Sequence, residues 1–306
     1  MKFLKLIRYQ NLLMLALMQL IFHFGFLKYQ GIQLALYDWQ FGLLVFATVC
    51  IAAGGYLINN VFDVETDLEN KPQDVVINRG ISEAAAYNYY LALNVIGVGI
   101  GFYLSNEIQR PGFAAAFIIV AATLYLYANS LKSMLLIGNF VVAFLLAFSV
   151  LIIGLFDLLP MIGLYDQDYL GTLFGILIDY AIFTFLINLI REIVKDLEDV
   201  NGDYNQGMNT LPIALGVSRT AKVAFALTII AVLVLGWYIY EYIFNLTYAT
   251  IYGLIFLISP LIFVAVKLWS AEKQKEFHFL SMLIKWILLF GILSIVAITI
   301  NMKINA

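Results

Sequence analysis

Nine long apolar stretches separated by short polar loops constrain this chain more than any other feature of its sequence. A helix needs roughly 20 mainly apolar residues to cross the hydrocarbon core of a membrane. Hydrophobic residues make up 63% of the chain and charged residues 12%, whereas soluble domains are about half apolar and a quarter charged. We therefore predict an all-α, polytopic membrane protein that forms one domain over residues 1–306. The predicted spans are 11–31, 41–62, 84–104, 112–131, 135–159, 170–192, 220–240, 248–269 and 283–301.

The basic residues predict the orientation of these spans. With the N-terminus in the cytoplasm, nine crossings leave only Lys28, Arg110 and Lys303 of the 17 Lys and Arg on the outer side. Cytoplasmic loops of membrane proteins carry an excess of Lys and Arg, so the number of spans and their direction support each other. We expect an integral, multi-pass protein with a cytoplasmic N-terminus, in the inner membrane if the cell is bacterial.

Two acidic clusters follow the ends of apolar spans, and they consist of Asn59, Asp63 and Asp67 and of Asp196, Asp199 and Asp203. Residues three or four apart lie on one face of an α-helix, so each cluster directs its oxygens one way and repels itself unless a cation is bound. Mg²⁺ is commonly held by one or two carboxylates together with substrate phosphates. The sequence therefore predicts a site for Mg²⁺ and a diphosphate at the cytoplasmic surface.

The two clusters also form a weak internal repeat. One ends the second span and the other ends the sixth, so a parallel repeat places both on the same side of the membrane. Two acidic helix ends that face each other would hold two or more metal ions on one diphosphate. We expect the nine helices to surround a central cavity that is open to the cytoplasm and contains this active site.

Several spaced motifs carry a resemblance to a known family. They are Asn59-x-x-x-Asp63-x-x-x-Asp67, Asp199-x-x-x-Asp203 after Arg191-Glu192, Gly207-x-x-Thr210-Leu211-Pro212, and Tyr127 five residues before Lys132. Together they resemble the signature motifs of the UbiA superfamily of intramembrane prenyltransferases, over the whole chain. The resemblance implies that a polyprenyl diphosphate is ionised with Mg²⁺ bound to its diphosphate, and that an acceptor nucleophile takes the allylic cation at C1.

The resemblance implies a role for each matching residue. The implied metal ligands are Asp63, Asp67, Asp199 and Asp203, assisted by Asn59 and Asp196. Tyr127 is implied to orient the diphosphate or to stabilise the cation through the face of its ring. The cations implied to bind the leaving diphosphate are Lys71, Arg79, Lys132, Arg191 and Lys195. Many members of the family have a basic residue soon after a Lys-Pro pair, whereas here Lys71-Pro72 is followed by a basic residue only at Arg79.

The acceptor is the least constrained part of the hypothesis. Arg79-Gly80-Ile81-Ser82, residues 127–132 and Leu136-Ile137-Gly138-Asn139 are most similar to the branch that transfers a geranylgeranyl group to geranylgeranylglycerol phosphate and so forms an ether lipid. An aromatic acceptor of quinone or haem side-chain biosynthesis is the alternative. We expect the partners to be a polyprenyl diphosphate, a lipophilic acceptor and membrane lipid, and no nucleic acid.

A different class of membrane protein would distribute its acidic residues differently. A cation-coupled transporter, the more distant alternative, would place acids near the bilayer midplane and interrupt its helices there, whereas this chain concentrates its acids at one face. One acidic cluster alone would suit a solvated helix end, but two matched clusters favour a shared site.

The remaining polar and small residues suit packing. His23 and His278 are isolated in the sequence from each other and from the acidic motifs, so we assign them packing or interface roles. The pair Gly54-Gly55 and the spaced Gly97, Gly99 and Gly101 predict close helix packing, since small residues let helix backbones approach one another in membranes.

Overall fold

The protein is all-helical, as the sequence predicts. The computed structural model describes residues 2–70, 72 and 75–305, and apart from isolated bridges this part of the chain contains no β-structure. The α-helices are α1 Lys2–Leu6, α2 Tyr9–Gly25, α3 Asp38–Phe62, α4 Val64–Asn70, α5 Glu83–Glu107, α6 Ala114–Asn129, α7 Ile137–Asp157, α8 Gln167–Asn205, α9 Leu211–Leu215, α10 Val217–Tyr238, α11 Thr247–Gly253, α12 Ser259–Ser270 and α13 Gln274–Asn305.

Eight helical segments of the described chain are long and apolar enough to cross a membrane. They correspond to eight of the nine predicted spans and are Tyr9–Gln30, Asp38–Phe62, Pro111–Asn129, Ile137–Met161, Gln167–Asn205, Val217–Ile243, Thr247–Ser270 and Gln274–Ile304. The remaining predicted span, 84–104, is a continuous helix of 25 residues, α5. Asn88 and Asn94 make α5 less apolar than the others, so the total of nine stays a prediction.

The helices divide into two compact units. The first unit consists of Met1–Leu20, Gln33–Val141 and Phe148–Asp179, and the second consists of Ile21–Ile32, Val142–Ala147 and Tyr180–Ala306. In the first unit α3 packs along both α5 and α6, and in the second unit α10 packs on α12 while α13 packs on α11 and α12.

Glycines allow the close packing of α3, α5 and α6 within the first unit. A Cβ atom added at Gly97 would lie 3.0 Å from the backbone oxygen of Ala47, and one added at Gly101 would overlap the ring of Phe117. Gly54 and Gly55 are similarly tight against side chains of α5 and α6. The predicted packing role is confirmed for these four glycines, whereas nothing lies within 4 Å of a Cβ atom at Gly99.

The second unit contains a helix that is interrupted by a wider turn. Residues Leu254–Ile258 form a π-helical turn between α11 and α12, just before Pro260. Proline has no backbone N–H and its ring clashes with the carbonyl one turn earlier. The Ser259 hydroxyl donates a hydrogen bond to the Leu254 carbonyl at 2.7 Å. A wider turn, with a serine side chain bonded back to the backbone, therefore precedes the proline.

Candidate functional site

The first acidic motif begins at the end of α3, and the helix does not continue through it unbroken. Asp63 is the C-cap of α3 with φ −93° and ψ 3°, and α4 starts at Val64. The backbone N–H of Asp63 still donates to the Asn59 carbonyl at 2.9 Å, and that of Asp67 donates to the Asp63 carbonyl at 2.8 Å. The prediction that this motif forms one continuous helix face is therefore wrong at Asp63, although the four-residue backbone spacing is kept.

A cluster of three side chains forms around the Asp63 carboxylate. Asn59 donates its amide N–H to one carboxylate oxygen, and the Lys132 ammonium forms an ion pair with the other. Both charged side chains are largely buried, with 14% of Lys132 and 16% of Asp63 exposed. The fold thus brings together three of the predicted site residues from α3 and from the turn that follows α6, although Lys132 lies 69 positions from Asp63 in the chain.

The oxygens of this cluster suit a hard cation. Asn59 Oδ1 is buried and has no hydrogen-bond partner among the described residues, and amide and carboxylate oxygens are the ligands that Mg²⁺ prefers. No group of three or more His, Cys, Asp or Glu side chains in the described chain is arranged to hold a metal ion by itself. The donors therefore fit an ion that completes its coordination with oxygens of a bound substrate.

Close backbone packing places Lys132. It lies in the short helical turn Leu131–Ser133 between α6 and α7, and Leu136 adopts a positive φ of 60° before α7 begins. A Cβ atom at Gly138 would lie 2.9 Å from Cα of Lys132 and 3.1 Å from the carbonyl oxygen of Leu131. Since backbone atoms cannot rotate away as a flexible side chain can, a side chain at position 138 would force the backbone around Lys132 to shift.

The segment after the first motif is held by an apolar cluster in the first unit. Leu6 of α1 packs with Leu57, Val76, Ile77 and Ala86.

Within this segment, the Arg79 guanidinium is exposed and donates to the Pro72 carbonyl at 2.8 Å. Its predicted role toward the diphosphate therefore remains a prediction. Lys71 lies outside the described residues.

Tyr127 is half-buried near the C-terminal end of α6, and Asp67 is half-buried on α4.

The second acidic motif lies on the extension of α8. This helix has 39 residues and is about 58 Å long at 1.5 Å per residue, so it extends well past the predicted span 170–192. Asp196, Asp199 and Asp203 are three and then four residues apart on this helix, and their placement on one helical face is confirmed. Asp203 is the most buried of the three, with 7% exposed.

The two basic residues beside the second motif share one buried carboxylate. Glu192 accepts a hydrogen bond from Arg191 Nη1 at 3.1 Å and one from Lys195 Nζ at 2.9 Å. The sequence motif included Glu192 without a role for it. The sequence signal that points to it is Lys195 at position i+3, one helical turn away.

His278 is isolated from the second motif in the sequence but contacts a neighbour of that motif in space. Its Nδ1 atom lies 3.1 Å from Oε1 of Glu198, which stands between Asp196 and Asp199 in the chain. Glu198 is buried, whereas 63% of the His278 side chain is exposed. Because 80 residues separate the two, no sequence spacing could have revealed the contact.

A family model matches most of the chain, and relatives match smaller parts of it. The model of the UbiA prenyltransferase family matches residues 16–297. The digeranylgeranylglyceryl phosphate synthase of Sulfolobus acidocaldarius is 36% identical over 190 residues, which are 61% of this chain and 62% of that protein. The synthase of the same name from Methanobrevibacter smithii is 32% identical over 249 residues, covering 80% of this chain and 84% of that protein.

Solved structures share the fold. A structure of a digeranylgeranylglyceryl phosphate synthase superposes with a TM-score of 0.67 at 23% identity, over 98% of each chain. A UbiA homologue from Archaeoglobus fulgidus, solved with GPP and Mg²⁺ bound, has a TM-score of 0.59 at 16% identity and covers 96% of this chain and 99% of its own. At these identities the likeness shows the fold alone.

Proposed function

This chain belongs to the UbiA prenyltransferase family, and from that premise we propose that it is an intramembrane, Mg²⁺-dependent prenyltransferase. The observation that carries the proposal is the family match over residues 16–297, which includes both acidic motifs. The grouping of Asn59, Asp63 and Lys132 at the end of α3 supports it. Such a protein moves a polyprenyl group from its diphosphate to a lipophilic acceptor within the membrane.

The residues that would hold the metal belong to the two acidic motifs. They are Asp63 and Asp67 with Asn59 in the first motif, and Asp199 and Asp203 with Asp196 in the second. A bound Mg²⁺ supplies positive charge that stabilises the departing diphosphate. Asn59 has a donor and an acceptor on one amide: its N–H holds Asp63 in place while its buried oxygen remains available to a cation.

The bond changes follow from the substrates. The bond between C1 of the prenyl chain and its diphosphate oxygen breaks, and the electron pair leaves with the diphosphate. A new bond forms between C1 and the acceptor oxygen, and the acceptor hydroxyl transfers its proton to a base. The cations proposed to stabilise the leaving group are Lys132, Arg191 and Lys195, with Arg79 and Lys71 as further candidates, because fixed positive charge acts on charge as it develops. Tyr127 is proposed to orient the diphosphate.

Lys132 needs a change of partner to act on a diphosphate. Its ammonium is bound to Asp63, and a Lys head group on a flexible four-carbon stem can move between acceptors. We propose that Asp63 would bind a metal ion when the donor binds, and that the Lys132 ammonium would then be free to contact the diphosphate. In this scheme the Lys132 ammonium offsets the negative charge of Asp63 before the donor binds. After ionisation the same ammonium offsets the negative charge of the released diphosphate.

The acceptor that we favour is geranylgeranylglycerol phosphate, with geranylgeranyl diphosphate as donor. The names of the Sulfolobus acidocaldarius and Methanobrevibacter smithii relatives support this choice. Its product is an ether lipid. We also propose that the N-terminus and the active site lie on the cytoplasmic side, as the distribution of Lys and Arg predicts.

The test is diphosphate release by the purified protein in nanodiscs with Mg²⁺ and geranylgeranyl diphosphate. We expect release only when geranylgeranylglycerol phosphate is present, together with an ether product found by mass spectrometry, and none after Mg²⁺ is chelated. A product with 4-hydroxybenzoate alone would change the acceptor to an aromatic one and keep the reaction. Absence of turnover with both acceptors and with several donor chain lengths would contradict the proposal.

A further inference from the structure

Glu192 is a buried carboxylate between two cations on α8, one turn before the second acidic motif. Only 8% of its side chain is exposed, compared with 18% for Arg191 and 25% for Lys195. A buried carboxylate is costly unless it is paired and hydrogen-bonded, and both of its oxygens are used, one by each cation. The group formed by these three side chains retains one excess positive charge.

Helix geometry places this group beside the second acidic motif. At 100° per residue, positions 196, 199 and 203 lie within about 40° of position 192 around α8. Glu192 therefore continues the stripe formed by Asp196, Asp199 and Asp203 by one turn toward the N-terminus. The two cations that Glu192 binds are thus held next to the residues proposed to bind metal.

An unsatisfied donor on Arg191 points to a ligand. Its Nε atom is buried and has no hydrogen-bond partner among the described residues, whereas Nη1 is engaged by Glu192. Buried donors are normally satisfied in native proteins. The guanidinium presents a planar fork that matches the oxygens of a phosphate, so an anionic oxygen of a bound ligand would satisfy this donor.

We infer that Glu192 is a positioning residue, which holds the Arg191 guanidinium and the Lys195 ammonium in the arrangement that binds the diphosphate of the donor. The inference rests on the proposed function. Glu192 itself does not touch the diphosphate, since like charges repel. Its contribution is to restrict two long side chains that would otherwise lose conformational freedom when they bind a ligand.

The charge and the positioning role of Glu192 predict opposite results for one substitution. Glu192→Gln removes a negative charge and so raises the local positive charge, which by itself would tighten the binding of an anion. If Glu192 instead positions the cations, the same change loosens them and weakens binding. The direction of the change in affinity therefore separates the two roles.

The experiment measures the binding of inorganic diphosphate with Mg²⁺ to the full-length protein in nanodiscs by calorimetry. We expect a dissociation constant about tenfold higher for Glu192→Gln than for the unchanged protein. The matched control is Glu198→Gln, on the same helix and with 6% of its side chain exposed, because Glu198 forms its ion pair with His278. The control should bind diphosphate within about twofold of the unchanged protein.

Steady-state kinetics supply a second readout that a general loss of stability would not produce. For Glu192→Gln we expect KM for the prenyl diphosphate to rise about tenfold, and kcat to fall as well because Arg191 and Lys195 are proposed to stabilise the leaving diphosphate. Glu192→Asp keeps the charge but is one methylene shorter, so it cannot hold both cations at once. It should weaken diphosphate binding by about threefold, and it keeps the test valid if the Gln variant does not fold.

The outcomes are distinct. Diphosphate binding that is unchanged or tighter in Glu192→Gln, or unchanged in Glu192→Asp, would overturn the inference and leave the proposed function intact. An equal loss of binding in Glu192→Gln and Glu198→Gln would show that burying any neutral amide on α8 perturbs the site, and would also overturn it. Failure of the unchanged protein to bind diphosphate with Mg²⁺ would overturn the proposed function and the inference together.

Discussion

At the scale of single residues, Asp63 is the point on which the first motif depends. It ends α3, accepts a hydrogen bond from Asn59 and forms an ion pair with Lys132. The protein itself thus supplies a positive partner for a carboxylate that is proposed to bind metal. Because Lys132 and a metal ion use the same oxygens, each must weaken the binding of the other at Asp63.

The change Lys132→Gln removes this competition. We expect Mg²⁺ alone to bind about threefold more tightly, while diphosphate with Mg²⁺ binds at least about tenfold more weakly, since the ammonium is lost from both interactions. Calorimetric titration of the purified protein measures both constants. Lys222→Gln is the control, because Lys222 lies on α10 over the Trp269 ring. Weaker or unchanged binding of Mg²⁺ in Lys132→Gln would contradict the competition.

Gly138 acts on the same cluster through the backbone. In Gly138→Ala the new methyl group would meet Cα of Lys132 at 2.9 Å, and overpacking of this kind typically costs about 1–3 kcal/mol. We expect lower stability in denaturant titrations and weaker diphosphate binding. Gly99→Ala is the control, because a Cβ atom there meets nothing within 4 Å. Equal effects at both positions would exclude a specific role for Gly138.

At the scale of helices, the two acidic motifs are built differently. The first lies across the break between α3 and α4 and is assembled by contacts with a distant turn. The second lies on one uninterrupted helix of 39 residues, where spacing alone puts its three aspartates on one face. A substitution in the first motif therefore disturbs a contact between elements, whereas one in the second changes one face of a single element.

The second motif can be tested by comparing the two ends of α8. Asp199→Asn removes charge from the motif near the C-terminal end, and we expect transfer activity to be lost while the protein still inserts into the membrane. Asp168→Asn makes the same chemical change on an exposed residue in the first turn of the helix. It should leave activity unchanged. Prenyl transfer by Asp199→Asn near the normal rate would remove Asp199 from the proposed metal ligands.

At the scale of the whole molecule, the number of crossings depends on α5. It is 25 residues long, which is sufficient for one crossing, but it is not among the eight helical segments of the described chain that are apolar enough to cross a membrane. The glycines of α5 pack it closely against α3 and α6. A helix that is packed in this way can carry polar residues such as Asn94, which donates to the Tyr90 carbonyl one turn earlier at 2.8 Å.

Cysteine labelling of the two ends of α5 tests both the crossing and the orientation. Cys50 is the single cysteine of the chain and is buried, so an introduced cysteine gives most of the labelling signal. Ala84→Cys and Asn106→Cys place thiols at exposed positions near the two ends of α5. We expect a membrane-impermeant maleimide to label Asn106→Cys in intact cells. It should label Ala84→Cys only after the membrane is permeabilised. Equal labelling of both in intact cells would exclude a crossing by α5.

The helices and the motifs that lie on them could be predicted from the sequence alone. Apolar length predicts a span because backbone hydrogen bonds must be satisfied within the segment in lipid, and only a helix of about 20 residues does so there. The face formed by Asp196, Asp199 and Asp203 follows from helical spacing, and close packing at Gly54, Gly55, Gly97 and Gly101 follows from the lack of a side chain. The spans and the aspartate face depend only on interactions between residues close in the chain, whereas a missing side chain marks where another helix can approach closely.

Only the tertiary structure decided which distant side chains meet. In the folded chain α3 ends at Asp63, and the Asp63 carboxylate forms an ion pair with Lys132. Gly138 packs against the Lys132 backbone, and His278 contacts Glu198. The physical reason is that an ion pair or a close backbone contact requires two elements to pack at one distance and angle, and residue spacing in a single sequence does not encode that packing. The sequence by itself therefore determined the membrane-spanning helices and the kinds of groups at the site, and the packing of those helices determined their partners.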